Sequence, residues 1–379
     1  MLNEQQAQVR EAVRRFADEA IRPIAAELDE TERFPSDLYA QMAELGLFGI
    51  TVPAELGGAG LDVLSYAVVM EELSRGYASV ADQCGLVELI ATLLVVYGTP
   101  AQRERYLVPM LRGARRTAYG ITEAEAGSDV AGIRSTAVRT ADGWRLDGGK
   151  LWIHNAPVCD FAVVLARTDA AAGRRGMSIL LVDADRPGFV RGRREHKMGQ
   201  RASPVGALHF DGVELPADAL LGPEGRGFYI MMSLLEKGRV GIAALAVGIA
   251  QAGLDAALEQ ARQRRQFGRP IVENQGLAWM LADMAKDVQA ARLLTWDAAR
   301  RLDRGESAAK ASSMAKCFAG DMAVAQTANA VQVFGGSGYI RGFEVERLYR
   351  DAKICQIYEG TQQIQRGIIA REMLREAGA

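Results

Sequence analysis

Tyr119-Gly120-Ile121-Thr122-Glu123-Ala124-Glu125-Ala126-Gly127-Ser128-Asp129 stands where one periodicity of apolar residues replaces another. Upstream, Val9, Val13, Phe16, Ala20 and Ile24 recur at three and four residues, and Val68, Val69 and Leu73 continue the habit, which predicts a helical domain over residues 1–116. Its glycine-rich interruption, Val52 to Gly60, reads as a surface loop. Downstream the texture is short β-rich runs between turn residues: Thr136 to Thr140, Trp144 to Leu146, Phe161 to Ala166, Met177 to Val182 and Ala207 to Phe210. These predict a compact β-domain over residues 117–222. After Gly227 the helical spacing returns, in segments near 228–263, 274–304, 308–334 and 346–370 with breaks at Gly305, Gly335-Gly336 and Gly360, so residues 223–379 are predicted helical. Helices, then strands, then helices make an α+β chain.

The composition narrows the function. The 379 residues are 49% hydrophobic and 24% charged, as in a globular protein rather than a disordered or collagen-like one. Lys+Arg at 45 against Asp+Glu at 47 leaves a net charge of -2, so no overall field favours nucleic acid or an anionic membrane. The uncharged run Val240 to Ala250 falls short of the ~20 residues that span a bilayer and reads as a buried helix. The cysteines (Cys84, Cys159, Cys317, Cys355) form no CxxC and the histidines (His154, His196, His209) no HxxxH; neither a metal site nor a disulfide framework is expected, and a cytoplasmic location fits. Glu4, Glu11, Asp18 and Glu19 make the opening unlike a signal or transit peptide, and the mature chain is expected to begin here. The basic stretch Arg186 to Arg201, interrupted by Glu195, reads as a solvated face.

No GxxxxGK[ST] or GxSxG occurs, and Gly335-Gly336-Ser337-Gly338 lacks the Rossmann spacing. Five other segments, at joins between the predicted parts, can carry chemistry. The opening stretch has small residues that let backbone N–H groups approach an anion, with Thr122 and Ser128 as donors; taken alone it is equally a plain loop. Lys150-Leu151-Trp152-Ile153-His154-Asn155 ends a strand with a large aromatic, which alone is more often core. Arg264-Arg265-Gln266-Phe267-Gly268 closes a long helix with guanidinium groups able to clamp a pyrophosphate. Gln332-Val333-Phe334-Gly335-Gly336 stops another helix and exposes backbone. In Ile357-Tyr358-Glu359-Gly360-Thr361, Gly360 can end one helix and Thr361 cap the next, which fixes Glu359 at a joint where a carboxylate can act as a base; the plain alternative is a surface side chain.

With these residues the chain resembles the acyl-CoA dehydrogenases, FAD-dependent enzymes that oxidise acyl thioesters to trans-2-enoyl thioesters. The likeness runs from Leu45 to Ile50 and Pro53 to Gly60 through Thr122-Glu123, Gly127-Ser128-Asp129, His196 to Gly199, Arg264 to Gly268 and Gln332 to Gly336. It continues through Val345 to Lys353 and Tyr358 to Thr361 to end near Arg371. It implies an N-terminal helical domain, a middle β-barrel-like domain and a C-terminal four-helix bundle, assembled as a homo-oligomer, a tetramer or a dimer, with FAD shared between subunits. It places Tyr119, Ile121, Thr122, Gly127, Ser128, Trp152, Ile153 and His154 along the flavin. Arg264, Gln266, Phe267, Gln275, Gln332, Gly335 and Gly336 would hold the adenine dinucleotide end, largely of a neighbour's cofactor, and Thr361 and Gln363 would complete the site. Glu359 matches the catalytic base. In isovaleryl-type members the base comes from the position of Gly238 instead, so Glu359 has no rival here. Glu236, Arg239, Ser128 and Gly360 match substrate-contacting positions, and electron-transfer flavoprotein is the implied electron acceptor.

Three departures from the family pattern carry expectations of their own. Ala124-Glu125 stands where Pro-Gly is usual. His154 replaces a Thr or Ser whose hydroxyl meets flavin N5; an imidazole can still donate there and titrates near neutrality. Glu88 falls on a helix that lines the acyl pocket in relatives, at a position usually small and polar; it either reaches solvent or pairs with another polar group, and the sharper expectation is that it narrows the pocket toward short or polar acyl groups. A flavin monooxygenase or oxidase on the same fold is the alternative that His154 keeps open, and a non-catalytic acyl-thioester-binding protein is a lesser one; Glu359 argues against both. The carrier of the acyl group, CoA or a carrier protein, is left open by the residues.

Overall fold

Asn3 starts the first helix with a capping box: its side chain accepts from the Gln6 N–H while the Gln6 side chain accepts from the Asn3 N–H. In the computed structural model, which describes residues 1–378, α1 (Glu4–Phe16) runs through a π-turn at Ala17–Ile21 into α2 (Arg22–Thr31), so the apolar stripe read from the sequence lies along one rod. Then follow α3 (Ser36–Glu44), α4 (Val63–Gly76), α5 (Ala78–Tyr97) and two short pieces, α6 (Pro100–Gln102) and α7 (Val108–Leu111).

The strands are β1 (Thr117–Gly120), β2 (Thr136–Arg139), β3 (Gly143–His154), β4 (Phe161–Arg167), β5 (Met177–Asp183), β6 (Phe189–Arg191), β7 (Val205–Pro216) and β8 (Leu220–Leu221). They form one sheet in the order β6-β7-β3-β2-β4-β5-β8, with β1 parallel to β4. Alternate residues of β4 serve two cores. Phe161, Val163 and Leu165 join the helical core, while Ala162, Val164 and Ala166 join Trp144, Leu146 and Phe210 in the sheet's own. The expected barrel is not formed. Among the described residues no pairing joins β6 to β8, because edge strands of three and two residues offer too short a ladder to close the sheet. The basic stretch is also only partly a solvated face: it contains β6, and Arg191 donates to the Cys159 carbonyl at 2.9 Å.

The second helical part holds α8 (Gly227–Gln263), a hairpin of β9 (Arg265–Gln266) and β10 (Arg269–Pro270), α9 (Gln275–Asp303), α10 (Ala309–Phe334), α11 (Glu344–Ala352) and α12 (Gln362–Glu376). The segment expected near 346–370 is thus two helices, and the joint between them carries Glu359. Val240 to Ala250 is buried along its whole length within α8, as expected. Both α5 and α8 are long and apolar enough to cross a membrane, yet 72% and 78% of their apolar windows are buried in the fold, which makes them its central core helices.

Candidate active site

Glu359 is held by the backbone before its side chain does anything. It lies in the left-handed region at φ 55° and Gly360 follows at φ 92°, a reversal that a non-glycine residue adopts only when its surroundings enforce it. They do so here. The Gln365 carboxamide donates to the Glu359 carbonyl at 3.0 Å and to the Gly360 carbonyl at 2.9 Å, and the Lys316 ammonium donates to the Gly360 carbonyl at 2.7 Å. Thr361 caps α12 through the Ile364 N–H at 3.3 Å, as its place after Gly360 predicts.

The joint aims the carboxylate at α8. A Cβ placed on Gly238 would lie 2.7 Å from Glu359 Oε2, so any larger residue there displaces the acid. Oε2 is buried without a hydrogen-bond partner among the described residues. Burial pushes the Glu359 pKa up to about 7 against the opposing charges of Arg239 and Lys316, with Asp82 adding to the rise. A carboxyl poised there is half-ionised at neutral pH, the condition for a general base. The sign follows: only the carboxylate accepts a proton, so kcat/KM should climb with pH through about 7 and level off above it. A profile flat from pH 6 to 8 in stopped-flow reduction would rule this group out.

Two expected neighbours share this spot. Arg239 is buried, its Nε has no partner among the described residues, and it is a charge neighbour of both Glu359 and Glu236. The Tyr119 hydroxyl donates to Met231 Sδ at 2.8 Å, and Glu359 is a charge neighbour of Tyr119 as well. Glu236 instead accepts from the Ala308 N–H at 3.3 Å.

The stretch from Tyr119 to Asp129 is stapled from beneath. Lys150 donates to Glu123 at 2.7 Å and to the Ile121 carbonyl at 3.1 Å, while Glu123 also accepts from the Arg134 and Ser135 N–H groups. Burial lowers the Lys150 pKa to about 8, with the Glu123 bond opposing it. Leu151 donates to the Thr122 carbonyl at 2.9 Å, at a point where β3 loses register with β7. That irregularity turns Trp152 outward at φ 56° and 63% exposed, so the indole is a surface platform and not the core residue that composition alone favours. Ile153 is buried beside it; Thr122 is half-buried, and Gly127 and Ser128 are exposed.

His154 enters a network that the sequence did not announce. The Gln83 amide nitrogen lies 2.8 Å from Nε2, and Nδ1 lies 3.4 Å from the Asp82 carboxylate. Ser203 links the same two residues, and Gln83 exchanges two hydrogen bonds with Asn155. Burial lowers the His154 pKa below the ordinary histidine value more than Asp82 raises it, which favours the neutral ring.

The remaining predicted residues gather elsewhere. Arg264, Gln266, Phe267, Gln275, Gln332, Gly335 and Gly336 are all exposed, around the end of the bundle where Ala261, Leu281, Ala330 and Val333 form a separate small core. Gly238 and Arg264 lie roughly 26 residues apart along α8, about 39 Å at 1.5 Å per residue, so the two groups of residues occupy separate places in the fold. Phe267, 98% exposed, and Tyr339, 86% exposed, stand at the same end.

Family models for the acyl-CoA dehydrogenase N-terminal, middle and C-terminal domains match residues 3–114, 118–213 and 225–374. The chain belongs to the acyl-CoA dehydrogenase family. It is 41% identical over 379 residues to the short-chain specific acyl-CoA dehydrogenase of Clostridium acetobutylicum, with 99% of both chains covered. It is also 41% identical over 374 residues to the 3-(aryl)acrylate reductase of Clostridium sporogenes, covering 98% of this chain and 99% of that one. A solved structure described as an electron transferring flavoprotein of Acidaminococcus fermentans matches with a TM-score of 0.97 at 41% identity, with 99% of both chains covered.

The FAD of an acyl-CoA dehydrogenase suits the residues present. An outward indole beside a stapled loop with a free Ser128 offers a ring face and donors, and the exposed Arg264 and Gln266 offer donors for a pyrophosphate. Lys316, Gln365, Asp82, Gln83 and Ser203, which hold Glu359 and His154, are not marked by any local motif; all but Gln365, six residues from Glu359, act from a distant part of the chain.

Proposed function

We propose that this acyl-CoA dehydrogenase oxidises a short acyl-CoA to the trans-2-enoyl thioester, with Glu359 as the base. The buried, unpartnered Glu359 Oε2 with its pKa near 7 carries this reading. Oε2 takes the α-proton. The Glu359 N–H, which has no acceptor among the described residues, is held by the Gln365 and Lys316 bonds to polarise the thioester carbonyl. Arg239 and Lys316 stabilise the ionised base so that it persists at neutral pH. Bound FAD supplies the hydride acceptor. Thr122, Ser128, Trp152 and His154 would line its flavin, with Thr361 and Gln363 beside them, and Arg264, Gln266, Gln275, Gln332 and Gly336 would take the adenine end of a second subunit's cofactor. The distance along α8 and the exposed Phe267 and Tyr339 support a homo-oligomer, of which a tetramer is typical in this family.

Electron-transfer flavoprotein is the electron acceptor, in keeping with the Acidaminococcus structure, and short acyl groups agree with the Clostridium acetobutylicum relative. A cytoplasmic location is supported by four buried cysteines that remain free thiols. Anaerobic mixing of the holoenzyme with butanoyl-CoA tests the reading: the flavin should bleach and crotonyl-CoA form. For the shared cofactor, Arg264→Ala is expected to lose most of its FAD and to sediment as a smaller species, since one guanidinium bridges cofactor and neighbour. Full FAD content in an intact oligomer would overturn that part.

A further inference from the structure

Behind Glu359 lies a polar cluster that the proposed reaction does not use. Glu88 of α5 is 1% exposed, and its two oxygens are treated unequally. Oε1 accepts from the Thr51 N–H at 3.1 Å, from the Thr51 hydroxyl and from the Lys237 ammonium at 2.6 Å. Oε2 is buried with no partner at all among the described residues. The other bonds of the Lys237 ammonium go to the hydroxyls of Thr51 and, at 2.8 Å, Thr92.

The cluster is adjacent to the base. Lys237 precedes Gly238, the residue against which the Glu359 carboxylate lies, and its ammonium sits 5.6 Å from the centre of the Tyr66 ring. Tyr66 has both Glu88 and Glu359 as charge neighbours, and its hydroxyl is wedged so close to Gly241 that a Cβ there would lie 2.1 Å away. Burial raises the Glu88 pKa, but Lys237 and the Thr51 bonds outweigh it and hold the group below the ordinary carboxylate value, so Glu88 is ionised and can only accept. An ionised oxygen left without a donor in the protein interior is costly to maintain, and a substrate that brings a donor removes that cost.

We propose that Glu88 Oε2 is a specificity site for a hydrogen-bond donor, a hydroxyl group, carried on the far end of a short acyl chain. This rests on the proposed dehydrogenase reading and names its substrate class more narrowly. An alcohol on the acyl end would donate to Oε2, whereas a methyl end of the same length would leave that oxygen unpaired beside hydrocarbon. Discrimination of this kind, a buried acceptor satisfied by one substrate and stranded by another, is worth about ten- to a hundredfold in kcat/KM.

The test uses FAD-loaded enzyme and two series of acyl-CoA thioesters with four to six carbons, one plain and one with a terminal hydroxyl, read by anaerobic flavin reduction. The expected result is a kcat/KM ratio favouring the hydroxylated series by about tenfold or more at one chain length. Because Glu88→Gln leaves Lys237 buried without its counter-ion, the paired variant Glu88→Gln with Lys237→Met is measured beside it, along with FAD content and melting temperature. The paired variant should keep FAD and lose the hydroxyl preference while still reducing its flavin with the plain series. Equal ratios in the unaltered enzyme, or a preference that survives the paired substitution, would overturn the Glu88 site alone. No reduction by either series would overturn the dehydrogenase reading and this site together.

Discussion

Glu359→Gln is expected to keep its FAD, still bind acyl-CoA and reduce its flavin about a thousandfold more slowly or worse, because an amide of the same shape cannot accept the α-proton. The other carboxylates nearby are engaged, Asp82 by the Ser203 hydroxyl. Glu236 is engaged by the Ala308 N–H, and Glu88 is tied to Lys237. The same variant has a second signature, in stability. The folded-state pKa of Glu359, about 7, lies above the ordinary carboxylate value of 4.5, so the folded protein holds this proton more tightly than the unfolded chain. The stabilisation from that proton is complete below 4.5 and is lost as pH rises through 7. At pH 8 the unaltered protein therefore bears the burden of a buried carboxylate that glutamine removes, and Glu359→Gln should melt higher there, being more stable by on the order of 1–3 kcal/mol, with the gap closing toward pH 5. Wild-type rates in this variant would place the base elsewhere; a melting difference independent of pH would mean that Glu359 is not the shifted group.

The parts of this molecule legible from its sequence are those governed by neighbours a few residues away. Period-3.6 spacing marks α8, α9 and α10 to within a residue or two, and the caps around Gly360 and Thr361 locate the joint that carries the base. What was not legible depends on pairing across the chain. The outward turn of Trp152 comes from a register shift between β3 and β7, and neither strand reveals it alone. The sheet stays open because β6 and β8 are too short, whereas a run of alternating strands reads the same in a barrel. The His154 pKa is lowered because the fold buries the ring, against the opposing charge of Asp82 on α5, and neither is visible in the sequence around the histidine. Glu88 read correctly as a charge in need of a partner, but Lys237 is 149 positions away and no local pattern connects them.

The second large effect concerns where the base can be mounted. Glu359→Gly alone should abolish turnover as glutamine does, while the backbone loses nothing, since glycine adopts φ 55° freely. Adding Gly238→Glu to that background should restore flavin reduction about a hundredfold over the single variant, though not to the original rate. The geometry gives the reason. A Cβ on residue 238 falls 2.7 Å from Glu359 Oε2 and 3.2 Å from its Cδ, so a glutamate rooted on α8 would reach the volume that the missing carboxylate vacates. The helix tolerates the change, because glutamate is a better helix former than glycine by about 0.5–1 kcal/mol. Arg239 and Lys316, the two cations that keep the carboxylate ionised, stay in place. The approach changes, however: the acid now rises from α8 beside Lys237 rather than from the joint before α12. In the unaltered background Gly238→Glu should instead be inactive, since two carboxyl groups would compete for one site. A doubly substituted enzyme that binds FAD yet works no better than Glu359→Gly would show that the rigid joint, and not merely a carboxylate in that volume, sets the geometry of proton removal.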